Sequence, residues 1–414
     1  MTVSAVCTPP ATPLHISGTQ GSALAKLQSK ISEYLLLEDQ DVVPIVLAAV
    51  AAQRLDGDAV WLLLVGPPSG AKTAILDLLG DVPGMFPLSD LTDRTLASGL
   101  EPDDGRGRDP SLLNRLTNEI LVFKDFTTIL SMQRDRRLAV LAQLREVYDG
   151  QFVKIWGTGK ELHWEGRLGF LAGVTPVIDR YHTVMGMLGQ RFLMVRTKQA
   201  DRHAVALRAM QNLGTDEAAL KTSLKQDVAA LFKSLPQCTP VVPFDQLQTL
   251  VALADFVSKA RSHVERDGYA RDFDYVPEPE MPARVGRQLL SLARGLAWIE
   301  GRPAVTGRDV ARVLRVGLDS LPADRRAVLD VLAASPEEVT IHNLEAKLTQ
   351  YSETKLRRVL EDLYVLGVVT RRISPATQFL WSLPLETQRL IWQLAETPID
   401  QLHLPLFSEE GVVS

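Results

Sequence analysis

The chain reads as an α/β protein built on a parallel sheet, followed by a helical region and a small terminal unit of three helices and a two-stranded ribbon. Three observations predict this. Short apolar runs alternate with helical stretches through the first half, the pattern of strands buried on both faces. The first run, Trp61-Leu62-Leu63-Leu64-Val65, passes through a turn rich in glycine and proline into a stretch with apolar residues at Ala74, Ile75, Leu78 and Leu79. After Pro322 the periodicity changes to three short helices and two β runs.

The elements follow in order. Residues 1–20 are rich in Pro, Thr, Ser and Gly and are expected to form a loose arm. From Ser22 to Arg54, apolar residues at helical spacing (Leu24, Leu27, Ile31, then Val43, Ile45, Val46, Val50) give a helical lead-in to the first strand. Ile120-Leu121-Val122-Phe123 is a second strand, ending at Lys124-Asp125, and Leu168 to Val174 is a third, ending at Thr175-Pro176. Between them Leu138 to Tyr148 is helical, and Lys154 to Trp164 forms a hairpin turning at Gly157 and Gly159. A sheet unit therefore spans 21–199. Residues 200–322 are helical, interrupted at Pro277 to Pro282. Residues 323–384 give helices at Arg325 to Ala334, Ile341 to Leu348 and Ser352 to Leu366, then strands at Val368 to Ile373 and Gln378 to Leu383. Ser352 is a suitable N-cap for the third helix. That order is the order of a winged helix-turn-helix. The tail, 385–414, holds one amphipathic segment, Thr387 to Leu394.

Composition narrows the function classes. The 414 residues are 46% hydrophobic and 23% charged, ordinary globular values. A net charge of −5 gives no blanket attraction to nucleic acid, so any DNA contact must come from a local basic face. The two cysteines, Cys7 and Cys238, are too few for a disulfide framework or a metal knuckle and fit a reducing compartment. No stretch reaches the length of a membrane span, and a cytoplasmic location is expected.

The turn after the first strand, Gly66-Pro67-Pro68-Ser69-Gly70-Ala71-Lys72-Thr73, has the residues of a phosphate-binding loop. Its backbone N–H groups converge on phosphates, Gly66 and Gly70 permit close approach, and Lys72 supplies a point charge to the β- and γ-phosphates. The Thr73 hydroxyl takes one position on Mg2+. Ala71 stands where the motif has its second glycine; alanine is small and helix-favouring. ATP and Mg2+ are the expected cofactors. Asp125, at the end of the second strand, is placed to complete the Mg2+ shell, or is an exposed acid at a core strand's end. No glutamate adjoins it to polarise water, which leaves Glu119 and Glu146 to be recruited by the fold. Thr175 reads as a γ-phosphate sensor or as a Thr-Pro turn. Arg191, at the edge of the strand Phe192 to Val195, is either a finger reaching a neighbouring subunit's phosphoryl group or a surface ion pair. The hairpin's Lys154, Trp156 and Lys160 suit a nucleic-acid pore element, or the hairpin is a structural ribbon.

Taken together, these residues resemble the AAA+ P-loop ATPases, and within them the minichromosome maintenance helicases, over roughly residues 25–320. The resemblance implies an AAA+ core over 21–199, an α-helical lid over 200–322, and Gln190-Arg191-Phe192 as the arginine finger. It also makes Arg287, in Arg287-Gln288-Leu289, the second sensor, with Arg284 a weaker match. It implies a homo-oligomeric ring or filament with ATP between subunits.

In the terminal unit, Lys355, Arg357 and Arg358 on the third helix and Arg371 and Arg372 on the first wing strand are spaced to bracket DNA phosphates. Glu353, Glu361 and Asp362 oppose them, and docking of a protein partner is the alternative. The expected function is an ATP-hydrolysing, helicase-like or DNA-remodelling ATPase. The alternatives are an ATP-gated transcription switch with little hydrolysis and a protein-remodelling ATPase.

Overall fold

The computed structural model describes residues 23–98, 110–187, 190–198, 201–212, 217–267, 277–375 and 377–395. The arm at 1–20 and the end of the tail lie outside the described residues. In chain order the elements are α1 (Ala23–Tyr34), α2 (Val42–Ala52), β1 (Trp61–Val65), α3 (Lys72–Asp77), β2 (Met85–Leu88), β3 (Ile120–Phe123), α4 (Thr127–Leu130) and α5 (Arg134–Tyr148). Next come β4 (Gln151–Ile155), β5 (Glu161–Glu165), β6 (Gly169–Val174), α6 (His182–Met187), β7 (Phe192–Arg196), α7 (Arg202–Asn212) and α8 (Glu217–Lys233). The remainder is α9 (Phe244–Arg261), α10 (Ala283–Ile299), α11 (Gly307–Asp319), α12 (Ala323–Ala333), α13 (Ile341–Lys347), α14 (Glu353–Val365), β8 (Thr370–Ile373), β9 (Phe379–Ser382) and α15 (Leu385–Ala395).

These elements form two compact units, the first from described residues within 23–181, 191–241 and 291–304, the second from those within 182–190, 242–290 and 305–395. Helices α7 and α8, although they follow residue 199, group with the sheet.

The first unit is built on a five-stranded sheet in the order β2-β3-β6-β1-β7, with every neighbouring pair parallel. All five residues of β1 and all six of β6 are buried, as strands covered on both faces must be. Helix α2 is apolar all round and wholly buried. Trp61 anchors the lower core. Its ring lies 5.2 Å from each of Tyr148, Phe170 and Phe192, and its Nε1 donates to the Leu168 carbonyl at 2.7 Å. The expected hairpin forms between β4 and β5, with Gly159 at φ 83° in its turn. Strand β2 has no counterpart in the sequence reading: it is a short edge strand interrupted by Pro87 and so lacks a period.

In the second unit α12, α13 and α14 are followed by the antiparallel pair β8–β9. Thr340 and Ser352 cap α13 and α14, each accepting from a backbone N–H one turn on. A buried ion-pair network joins α12 and α14 to α9. Arg325, 5% exposed, donates to the carbonyls of Ala260 (2.9 Å) and Ser262 (2.6 Å) and to Asp362 (3.3 Å). Arg266 donates to the same carboxylate at 2.6 Å. Among the described residues no helix is long and apolar enough to cross a membrane.

Two predictions follow from this packing. Trp61→Ala removes a ring, a hydrogen bond and three aromatic contacts, and should cost about 3–5 kcal/mol in denaturant unfolding; a loss under 1 kcal/mol would mean the core does not rest on it. Burial and the neighbouring Arg325 lower the His182 imidazole to about 3, while its Nε2 donates to the Arg261 carbonyl at 2.8 Å. The unfolded chain therefore takes up this proton first, and stability should fall as pH drops from about 6.5 toward 3, by at most about 1.4 kcal/mol per pH unit. His182→Gln keeps a donor and should flatten that part of the profile; an unchanged acid slope would contradict it.

Candidate functional site

The loop after β1 runs along the carboxyl edge of the sheet, because β1 lies between β6 and β7. Its first residue fits a gap with no room to spare. A Cβ on Gly66 would stand 2.2 Å from the Thr197 hydroxyl, and the Thr197 N–H donates to the Val65 carbonyl at 2.9 Å. On the other flank, a Cβ on Gly173 of β6 would meet the Lys124 carbonyl at 2.7 Å and lie 3.5 Å from the Lys72 Cβ. Lys72 thus lies against the end of β6 and is 8% exposed.

Within the loop, Ser69 and Ala71 have φ of 60° and 61°. Ala71, where the motif has its second glycine, keeps the backbone of a glycine despite its side chain. It sits in the left-handed region just before α3, where glycine would be relaxed and a Cβ costs roughly 1–2 kcal/mol. Lys72 Nζ donates to the carbonyls of Gly66 (2.8 Å) and Pro67 (2.6 Å), so the ammonium is held inside the turn. Burial lowers its pKa below the ordinary lysine value, and the Asp125 carboxylate acts the other way. Thr73 is exposed.

Asp125 and Thr175 meet the loop from the β3 and β6 side. The Asp125 Oδ1 accepts from the Thr127 N–H at 2.9 Å, and the Thr127 hydroxyl lies 3.3 Å from that of Thr175 and accepts from the Thr175 N–H. Thr127, not singled out in the sequence, therefore links the two. Lys124, next to Asp125, pairs with Asp77 of α3 at 3.1 Å.

From the β7 side the loop opens into a cleft of about 810 Å³, within the usual range for small-molecule sites. Pro67 to Ala74 form one wall. The others are Tyr34 to Asp39 between α1 and α2, and Thr197, Lys198, Arg202, Val205 and Arg208 around α7. Leu35, Leu36 and Leu37 are half-buried there and offer an apolar surface to a flat ring. Lys198 and Arg202 are exposed. No motif marks these residues in the sequence; only chain folding assembles them.

Other expected site residues stand elsewhere. Arg191 is 5% exposed, donates to both oxygens of Asp149 at 3.1 and 2.7 Å, and lies over the Tyr148 ring. It precedes β7 and so sits at the amino edge of the sheet, committed to a pair within its own chain and not on the surface. Glu119 precedes β3 and accepts from the N–H groups of Thr117 and Asn118, again at the amino edge. Glu146 lies in the last turn of α5, two residues from the Tyr148 that packs against the first residue of β1. Arg287 lies on α10 in the second unit, where Arg284 pairs with Glu280 at 3.3 Å; the described residues lining the cleft all belong to the first. In the hairpin, Lys154 and Lys160 flank the Trp156 ring at 5.4 and 5.6 Å.

Three of the five cations expected to bracket DNA are engaged by acids. Lys355 pairs with Asp324 at 2.5 Å, Arg357 with Glu353 at 2.6 Å, and Arg372 with Glu338. Arg358 is half-buried. Arg371 is stacked on the rings of Tyr364 and Phe379, 4.4 Å from each.

The fit at Gly66 yields a test by compensation. Gly66→Ala should lower the melting temperature and abolish any phosphate binding, and adding Thr197→Ala, which removes the clashing hydroxyl, should restore most of the stability. A double variant no better than the single one would show that the contact is not what requires glycine. No family model matches this sequence, and no curated protein matches it either.

Proposed function

We propose that the protein binds ATP with Mg2+ in the first unit and hydrolyses it slowly, as an ATPase of the AAA+ type, and that a winged helix in the second unit engages what the ATPase acts on. The observation that carries this reading is that the loop bearing Lys72 and Thr73, which lines a cleft of nucleotide size, follows a strand whose neighbours in the sheet lead to Thr175 and Asp125, with the Asp125 carboxylate acting electrostatically on Lys72. These residues fit the cofactor chemically. Among the described residues the Thr73 hydroxyl and the Asp125 Oδ2 make no hydrogen bond, leaving two oxygens for a hard cation. Lys72 already points into the turn, and exchanging two carbonyl acceptors for phosphate oxygens strengthens its bonds. Bound nucleotide supplies the scissile phosphoanhydride; the protein's part is to neutralise charge on the oxygens and hold the groups in line.

Slow turnover follows from the carboxylates. Neither Glu119 nor Glu146 is at the edge where Lys72 and Asp125 meet, so the nearby polar groups for orienting water are the hydroxyls of Thr127 and Thr175, poor bases at neutral pH. This favours a second reading, an ATP-gated switch with almost no hydrolysis. For DNA, release of Lys355, Arg357 and Arg372 from their acids would offset part of each phosphate contact. With two cations remaining, log K against log salt should have a slope of about −2 at most.

Steady-state ATPase assays with and without single- and double-stranded DNA, alongside sizing with and without nucleotide, test the proposal. The expected result is slow, Mg2+-dependent phosphate release that Lys72→Ala abolishes, and assembly that responds to ATP. Binding without measurable turnover would select the switch; neither binding nor turnover would overturn both readings.

A further inference from the structure

The ribbon of the second unit carries a surface centred on Arg371, which the DNA reading takes as a phosphate contact but whose surroundings suit a different acceptor. Strand β9 pairs with β8 on one side and, through Trp381, with Val339 on the other, so among the described residues β8 is the outer strand, and all four of its residues are exposed. Arg371 and Ile373 point to one face of β8, opposite Trp381 and Phe379 of β9. On that face the Arg371 guanidinium is gripped by three rings, 4.4 Å from Tyr364 and from Phe379 and 5.7 Å from Trp381. Stacking fixes a guanidinium while leaving its N–H edge open for a planar bidentate acceptor. Among the described residues it meets no carboxylate, whereas Lys355, Arg357 and Arg372 each do.

The surroundings indicate what that acceptor belongs to. Ile373 is 62% exposed, Phe379 and Tyr364 each 40%, which makes an apolar rim around one oriented cation. Acidic and basic residues are equal in number between 323 and 384, so the unit lacks the positive field that draws a phosphate backbone. An outer strand with open backbone groups, an apolar side chain and an arginine two residues away matches the addition of an extended peptide.

We propose that β8 is a docking edge for an extended segment of a partner protein, carrying an aspartate or glutamate that bonds Arg371 and an apolar residue two positions away that covers Ile373. The backbone of the segment would extend the ribbon, and the carboxylate would set its register. This goes with the second unit as the partner-engaging end, and does not depend on nucleotide binding by the first.

The test uses the full chain and the fluorescein-labelled heptapeptide Thr-Thr-Asp-Thr-Val-Thr-Thr, read by fluorescence anisotropy, with a lysine-for-aspartate version and a labelled 20-base-pair DNA duplex as comparisons. The proposal expects saturable binding of the acidic peptide, little of the lysine version, and a loss of about tenfold or more in Arg371→Met, since a charge-assisted pair is removed while apolar bulk stays on the rings. Arg371→Lys keeps the charge but not the fork and should bind between the two. Ile373→Ser should weaken the peptide without altering the far-ultraviolet circular dichroism. No saturable binding, equal binding by Arg371→Met with unchanged circular dichroism, or Arg371-dependent binding of the duplex in place of the peptide would each overturn it. Because nucleotide is absent throughout, failure here leaves the ATPase reading standing, and failure of the ATPase assay leaves this one.

Discussion

The first unit depends on a close fit at the end of β1, where the chain turns between the ends of β6 and β7 with no space for a side chain at Gly66 or Gly173. The Thr197 hydroxyl fills the volume at Gly66 and the Lys124 carbonyl that at Gly173, against which the Lys72 stem also packs. A buried ammonium is costly unless its hydrogen bonds are made, and here the loop's own carbonyls make them. The lysine is consequently held close to the strand ends that carry Asp125, Thr127 and Thr175. Left-handed Ser69 and Ala71 store strain that this packing over-determines, as sites prepared for a ligand commonly do.

Under the proposed function, the strand order separates two tasks. On the β6 and β3 side stand Thr175, Thr127 and Asp125, small polar groups suited to the terminal phosphate and its cation. On the β7 side the cleft broadens to apolar Leu35 to Leu37 and exposed Lys198 and Arg202, suited to a base and the remaining charge. The second unit spends most of its charge internally, with Arg325 and Arg266 sharing Asp362, so its surface chemistry is set by the few groups left over.

Much of the framework was legible in the sequence. β1, β3, β6 and β7 are apolar runs with a single physical explanation, burial on both faces, and the loop following β1 has residue types that phosphate chemistry requires. The terminal helices and ribbon were legible because Ser352 and the alternating β runs mark their own boundaries. Edge strand β2 was not, since Pro87 and half exposure erase its period. Nor was the role of Thr127, whose hydroxyl matters only because β3 and β6 are neighbours, or the cleft wall at Leu35 to Asp39, brought to the loop across some thirty residues of chain. The fate of Arg191 was likewise hidden: its partner Asp149 is forty-two positions away, and spacing alone cannot reveal it. Glu353, one turn from Arg357, was visible as an opposing acid, whereas Asp324 and Glu338, which engage Lys355 and Arg372, lie on other elements and were not.

In the proposed reading, the turn holding Lys72 and the cleft beyond it form one nucleotide site. Hydrogen–deuterium exchange of the intact chain with and without Mg·ATP tests it most directly. Mg·ATP should slow exchange at 66–73 together with 35–39 and the start of α7, two walls far apart in sequence. Unchanged exchange at 66–73 under saturating Mg·ATP would contradict it.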